Sequence, residues 1–259
     1  MPTVPNIRTK RRVCKALRQH ARSMSDWVHW SKKTSKMSPD SANNFLLGVM
    51  LDHNVNADGV WDAANWIRTA VGDSDDVASL WRNLKKMDPP RLRGFLRYGY
   101  GGKALHRFYK TRARLLPKAA EHLIENYEGD PRRIWNNQRD VVEVRRRLDE
   151  IPGIGPALAR MAVLSLARTH GRLGGKNARR QLDVKPDIHV RRVFVRTGMI
   201  QKGATNTELV DSARQLAPDF PASLDAPSWE IGRNWCRPKR PSCSDCPIYG
   251  ICPQVGVRH

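Results

Sequence analysis

Four cysteines in the last 24 residues, Cys236, Cys243, Cys246 and Cys252, are spaced C-x6-C-x2-C-x5-C. Four thiolates within 17 residues can close around one centre, because thiolate sulfur is a sufficient ligand for zinc or iron without histidine. Structural zinc more often sits between two C-x-x-C knuckles. This array has one knuckle between two longer loops, so spacing favours a [4Fe–4S] cluster while zinc stays open. Clustering at one end of a long chain is unlike a disulfide framework and fits a reducing compartment. The first loop also carries Arg237, Lys239 and Arg240, cations suited to a phosphate. Cys14 stands apart and reads as an ordinary packed thiol.

A second stretch with chemical content is "LDEIPGIGPALARMA" at 148–162. Gly153 and Gly155 allow a tight turn and close approach of another backbone. Pro156 suits the first position of the following helix, where its missing N–H costs nothing. Amides at such a helix start face outward at the positive end of the dipole, which builds a phosphate site without side-chain charge. A plain turn between two packed helices has the same letters. Further on, Asp187 follows Pro186 and precedes "IHVRRVFVRTG", so it reads as an N-cap, with Gly198 closing the far end. A capped carboxylate is also a fixed and ionised one.

These residues need elements to hold them, and the chain offers helices. Runs such as "CKALRQHARSMSDWVHW", "NNFLLGVMLDHN", "DGVWDAANWIRTAV", "DVASLWRNLKKM", "GKALHRFYKTRARLLPKAAEHLIENY" and "DVVEVRRRLDEI" place apolar residues three and four apart, as one helix face requires. In "DVASLWRNLKKM", Val77, Leu80, Trp81 and Leu84 form one stripe with Asp76 as candidate N-cap. Prolines at 89, 117, 131 and 156, among others, punctuate the runs. Strand signals are scarce, and the fold reads as all-α.

Lys and Arg total 46 against 25 acids, a net charge of +21. Basic residues concentrate in "RTKRRVCKALRQHAR" at 8–22, in Arg145–Arg147 and in "RLGGKNARRQLDVK" at 172–185. The partner this implies is a polyanion, with nucleic acid the first choice. The longest apolar stretch, "MAVLSLA" at 161–167, is far too short to span a membrane, and the N-terminus has no apolar secretory core.

Together, the cysteine spacing and the glycine hairpin make the chain resemble the iron–sulfur helix-hairpin-helix DNA glycosylases of the endonuclease III and adenine glycosylase type. "LDEIPGIGPALA" resembles the hairpin, "KPDIHVRRVFVRTG" the segment bearing the catalytic aspartate, and "FLLGVMLDHNV" the early helix that supplies pocket and wedge residues. "GYGGKALHRFYKTRARLL" resembles a helix start that precedes the hairpin, and the likeness runs from about residue 42 to 253. It implies a helical barrel lobe at 42–170 and an aspartate-and-cluster lobe at 171–259; residues 1–41 lie outside the likeness and are expected to form a basic helical region packing with the cluster lobe. It also implies a [4Fe–4S] cofactor on the four cysteines, double-stranded DNA with a damaged or modified base as partner, a cytoplasmic, nucleoid-associated monomer and no membrane.

On the same resemblance Asp187 is catalytic, stabilising a cationic sugar as the base departs and orienting a water. Gly153, Gly155, Arg237, Lys239, Arg240, Arg179 and Arg180 would contact DNA. Asn54 would wedge into the gap left by a flipped base, and Asp52 and His53 would line the base pocket. Ala157 stands where bifunctional members have the lysine that forms a Schiff base, so the expected enzyme is monofunctional. Lys176 and Lys185 are the alternative lyase candidates, and a catalytically silent DNA-binding protein is the alternative outside enzymes. Gly48 stands where adenine glycosylases have an essential glutamate. The segment from Gly155 to Asp187 is longer than the family pattern, as a DNA-contacting loop or a solvated basic insertion.

Overall fold

A computed structural model describes residues 5–24, 37–52, 55, 59–72, 75–99, 102, 104–138, 140–171, 173 and 175–257. Among the described residues all regular structure is helical: α1 (Ile7–His20), α2 (Pro39–Leu51), α3 (Val60–Val71), α4 (Ser79–Lys86), α5 (Pro89–Tyr98), α6 (Tyr109–Tyr127), α7 (Val141–Asp149), α8 (Pro156–Thr169), α9 (Lys176–Gln181), α10 (Ile188–Arg196), α11 (Asn206–Leu216) and α12 (Asp225–Asn234). No helix among them is long and apolar enough to cross a membrane. The chain divides into two compact units, one of residues 33–163 and one of Met1–Lys32 with Leu164–His259, so the boundary falls inside α8.

In the unit of residues 33–163, α2 packs on α3, while α4 and α5 pack on α6. Leu46, Leu47, Met50, Ile67, Trp81, Leu84, Leu92 and Trp135 are fully buried there. Each fully buried side chain of this kind contributes about 1.5–3 kcal/mol. One polar pair crosses that core: Trp81 Nε1 donates to Asn43 Oδ1 at 2.8 Å, and Asn43 Nδ2 donates to the Val77 carbonyl at 3.0 Å.

Three boundaries in this unit differ from the sequence expectation. Asp76 does not cap α4, which starts at Ser79 after Ala78; its Oδ1 accepts the Ala78 N–H at 2.9 Å and closes the preceding turn. Pro117 lies inside α6 rather than ending a helix. Among the described residues of the run from Gly102, helix starts only at Tyr109, after a His106 that is buried and committed elsewhere. It donates from Nε2 to the Leu51 carbonyl at 2.8 Å and accepts the Phe108 N–H at Nδ1, 3.0 Å, as a neutral imidazole must.

The other unit packs α10 on α12, with α1 against α11, α12 and the 3-10 turns Pro221–Leu224 and Tyr249–Ile251. Val13, Cys14 and Leu17 of α1 join Val190, Val193, Phe194, Leu209, Val210, Ile231 and Ile248 in one core. Burial raises the Cys14 thiol pKa, so it stays protonated and apolar. Cys236, Cys246 and Cys252 pack against this core. Asp183, 1% exposed, accepts a bidentate pair from Arg214 at 2.8 and 2.9 Å, and Ala222 N–H donates to the Leu182 carbonyl at 3.0 Å. The stretch leading to Asp187 is thereby fixed.

Candidate active site and cluster-binding loop

Asp187 is the N-cap of α10, in extended backbone just before the helix. Its Oδ1 accepts both the His189 and Val190 N–H groups, each at 2.8 Å. Its Oδ2 has no hydrogen-bond partner among the described residues, and the residue is partly exposed. One oxygen thus fixes the carboxylate at the positive end of a helix dipole while the other stays open. Thr197 ends α10, and Gly198, at φ +70°, follows in the left-handed position the sequence reserves for glycine.

Behind Asp187 stands a second carboxylate that the sequence did not single out. Asp225 Oδ2 accepts the Lys185 N–H at 2.6 Å. Burial pushes Asp225 up to about 6, against the opposing pull of Arg168 and the Lys185 N–H, and the Asp187 charge adds to the rise. Arg168, 9% exposed near the end of α8, has its own pKa lowered by burial. A patterned helix start, "LDAPSW", was the available signal for Asp225, and it reads equally as a helix N-terminus.

Lys185 lies two residues from Asp187, partly exposed, and Lys176 opens α9, fully exposed. The insertion before Asp187 is not simply a loop, because Lys176–Gln181 is helical with Ala178 buried. Arg179 and Arg180 lie exposed on that helix, with the Arg179 guanidinium 5.9 Å from the Phe220 ring centre.

The four cysteines line one cavity together with Val193, Ile231, Trp235 and Ile248. Four cysteines around one mostly apolar space are the ligand type that a Cys₄ cluster uses. Burial raises the thiols of Cys243, Cys246 and Cys252, the last to about 11, with the neighbouring cysteines adding to each rise. Among the described residues no three His, Cys, Asp or Glu side chains are grouped so as to hold a metal ion. The first cysteine loop is clamped from α10: Arg196 Nη1 donates to the Arg237 carbonyl at 2.7 Å and lies 3.4 Å from Cys236 Sγ. Its Nη2 donates to the Pro238 carbonyl at 3.0 Å. Arg237, Lys239 and Arg240 are exposed on that loop.

In the other unit, the hairpin joins α7 to α8 through residues 150–155. Its two glycines serve different ends. Gly153 has φ +97°, which only glycine adopts cheaply, and its carbonyl accepts Arg112 Nη1 at 3.2 Å. Burial pulls the Arg112 pKa down, and its Nε has no partner. Gly155 is outside the left-handed region, and a Cβ there would meet nothing within 4 Å. Nothing among the described residues requires glycine at 155. Ala157 follows Pro156 in the first turn of α8, partly exposed.

Asp52 is the C-cap of α2, its N–H bonded to the Gly48 and Val49 carbonyls. His53 and Asn54 lie outside the described residues. The arginine run of α7 is not the free basic patch its sequence suggests. Arg146 pairs with Glu143 and Glu150, and Arg147 with Glu143, which holds the Glu143 carboxyl at about 2.

No family model matches the chain. The endonuclease III of Synechocystis sp. is 24% identical over 156 residues, which span 57% of this chain and 58% of that protein. A non-covalent endonuclease III–DNA complex superposes with a TM-score of 0.65 at 19% identity, covering 94% of each chain. A thermostable thymine-DNA glycosylase superposes at 0.60 and 16% identity, covering 94% of this chain and 95% of that one. The chain has the helix-hairpin-helix DNA glycosylase fold.

Within that helix-hairpin-helix framework, position 48 has a structural reason to be glycine. A Cβ there would lie 2.1 Å from the Trp61 ring, whose indole stacks on Phe45 at 6.3 Å. Trp61 fills the space that any side chain at position 48 would need.

Proposed function

We propose that the protein is a monofunctional DNA glycosylase that flips a damaged or modified base and hydrolyses its N-glycosidic bond. The observation that carries this reading is the Asp187 carboxylate, with Oδ1 held by two amides and Oδ2 open at the start of α10. An ionised oxygen so placed stabilises the positive charge that develops on the sugar as the C1′–N bond breaks. The bond pair leaves with the base, a water oxygen bonds to C1′, and one water proton is released, with Oδ2 its nearest acceptor. A fixed charge needs no reorganisation at that moment.

Other residues would bind and orient. The open turn at Gly155 admits a phosphate to the amides at the start of α8. Arg237, Lys239, Arg240, Arg179 and Arg180 add charge that sequence-independent DNA contact uses. Asp52, with His53 and Asn54, would line and wedge the base site. Cys236, Cys243, Cys246 and Cys252 would hold a [4Fe–4S] cluster, whose contribution when bound is to cross-link the C-terminal loop. Ala157 supplies no amine for a Schiff base, so water is the nucleophile.

The deciding experiment incubates the protein with duplexes bearing uracil, oxidised, alkylated and mismatched bases. The expected result is base release that Asp187→Asn abolishes, leaving an unbroken abasic strand. Strand cleavage with borohydride trapping would replace the monofunctional reading by one through Lys176 or Lys185. No release from any duplex would leave a DNA-binding protein.

A further inference from the structure

The charge on α1 is divided by face in a way the site described above does not use. Val13, Cys14 and Leu17 anchor the helix in the core. The polar groups on its flanks are each engaged: Lys10 Nζ with the Met199 carbonyl at 3.3 Å, Arg18 with Ser223 at 2.8 Å and Asp219 at 2.7 Å, and His20 with Glu230 at 2.6 Å. On the outer face, Arg8, Arg11, Arg12 and Lys15 fall at i, i+3, i+4 and i+7, all exposed. That spacing makes one stripe about 10 Å long.

No acid lies on α1, and no acidic side chain pairs with any of these four among the described residues. On α7, by contrast, Glu143 and Glu150 compensate Arg146 and Arg147. Four like charges on one rigid face repel one another and are stabilised only by counterions or by a polyanion.

We infer that the outer face of α1 is a phosphate-backbone contact for duplex DNA, separate from lesion recognition. Its partner is the sugar–phosphate backbone of undamaged duplex, whose regular negative charge matches a stripe of four cations on a helix that carries no Phe, Tyr or Trp. The inference rests on the reading of the protein as DNA-acting, but not on base excision. Each phosphate neutralised releases condensed counterion and adds about 0.9 to the slope of log affinity against log salt.

The test measures binding of the full-length protein to undamaged duplex from low to moderate salt. A variant with Arg8, Arg11, Arg12 and Lys15 all changed to Gln should lower that slope by up to about 3.6 without lowering the melting temperature. A second variant, Arg8→Lys with Arg11→Lys and Arg12→Lys, keeps charge and should keep the slope. An unchanged slope in the Gln variant, or a lost one in the Lys variant, overturns the inference. So does binding of this face to anionic lipid vesicles or single-stranded RNA with no effect on duplex. A lowered slope in a protein that releases no base from any duplex would sustain the inference while removing the glycosylase. Base release with an unaltered slope would do the reverse.

Discussion

Asp225 Oδ2 and the Lys185 N–H lie 2.6 Å apart, tying the start of α12 to the backbone two residues before Asp187. This tether is made by a carboxyl that burial pushes from 3.8 to about 6. Such an acid binds its proton more tightly in the folded chain than in the unfolded one. Its stabilising contribution is complete below about pH 4 and is lost as pH rises through about 6. The shift corresponds to at most about 3 kcal/mol. Asp225→Asn keeps an acceptor for Lys185 without the titration, so the fall in stability between pH 4 and 7 should flatten. Urea unfolding across that range checks it, and an undiminished slope in the variant would reject the assignment. The pairing that holds Glu143 at about 2 loses its contribution as pH falls from about 5 to 2, so it opposes the Asp225 trend only at the acid edge of this range, equally in both proteins.

The two hairpin glycines should respond oppositely to alanine. Gly153→Ala forces a side chain into φ +97° and places Cβ 3.3 Å from Arg112 Nη1. A loss of about 1–2 kcal/mol is expected from the backbone alone. Gly155→Ala meets open space and should change stability by less than about 1 kcal/mol. It should nevertheless weaken duplex binding, because the methyl would stand where a phosphate approaches. Melting temperature and duplex affinity, measured on both variants, separate the cases. Equal affinity for Gly155→Ala and the unaltered protein would remove this turn from the DNA contact.

The glycine turn of the hairpin and the Asp187 cap were legible because each is local: a turn and a cap are written within a few residues. The Gly198 stop of α10 was legible for the same reason. Asp225, Arg112, Arg196 and His106 were not, since each acts on backbone groups far along the chain. Arg196 reaches carbonyls 41 and 42 residues away, and Arg112 one 41 residues away. Nor does local pattern reveal compensation of charge. "RRR" and "RTKRR" look alike as letters, but glutamates one turn away neutralise much of the first and none neutralise the outer face of the second.

Gly48 and Trp61 make a pair that can be tested by a double-mutant cycle. Gly48→Ala should destabilise by about 1–3 kcal/mol, the usual range for overpacking. Trp61→Ala alone should also destabilise, since the ring stacks on Phe45. Combined, the two should cost less than their sum, because removing the indole makes room for the methyl. Chemical denaturation of the four proteins measures the coupling. Strict additivity would show that Trp61 does not determine glycine at 48.

Cysteine substitution should separate cluster binding from folding of the rest of the chain. Cys246→Ala, in protein purified without oxygen, is expected to lose iron and visible absorbance. The melting transition should fall, because a bound cluster contributes its binding free energy to the folded state. Cys14→Ala, which alters a packed thiol outside the quartet, should leave iron content unchanged. A colourless unaltered protein carrying one equivalent of zinc would overturn the cluster assignment.

Asp187 caps α10 and, in the proposed function, faces the substrate; substitutions can divide the two roles. Asn caps nearly as well as Asp, so Asp187→Asn should cost only a few tenths of a kcal/mol, whereas Asp187→Ala should cost about 1 kcal/mol. Catalysis depends on the charge at Oδ2, which both variants remove. Both should therefore slow base release by on the order of 10²–10⁴-fold, despite their different stabilities. Single-turnover rates on the best duplex of the panel, compared with urea midpoints, make the distinction. Were Asp187→Asn to retain base release while Asp187→Ala lost it in step with its stability, Asp187 would be a cap alone. The catalytic carboxylate would then have to be sought elsewhere in the site, beginning with Asp225.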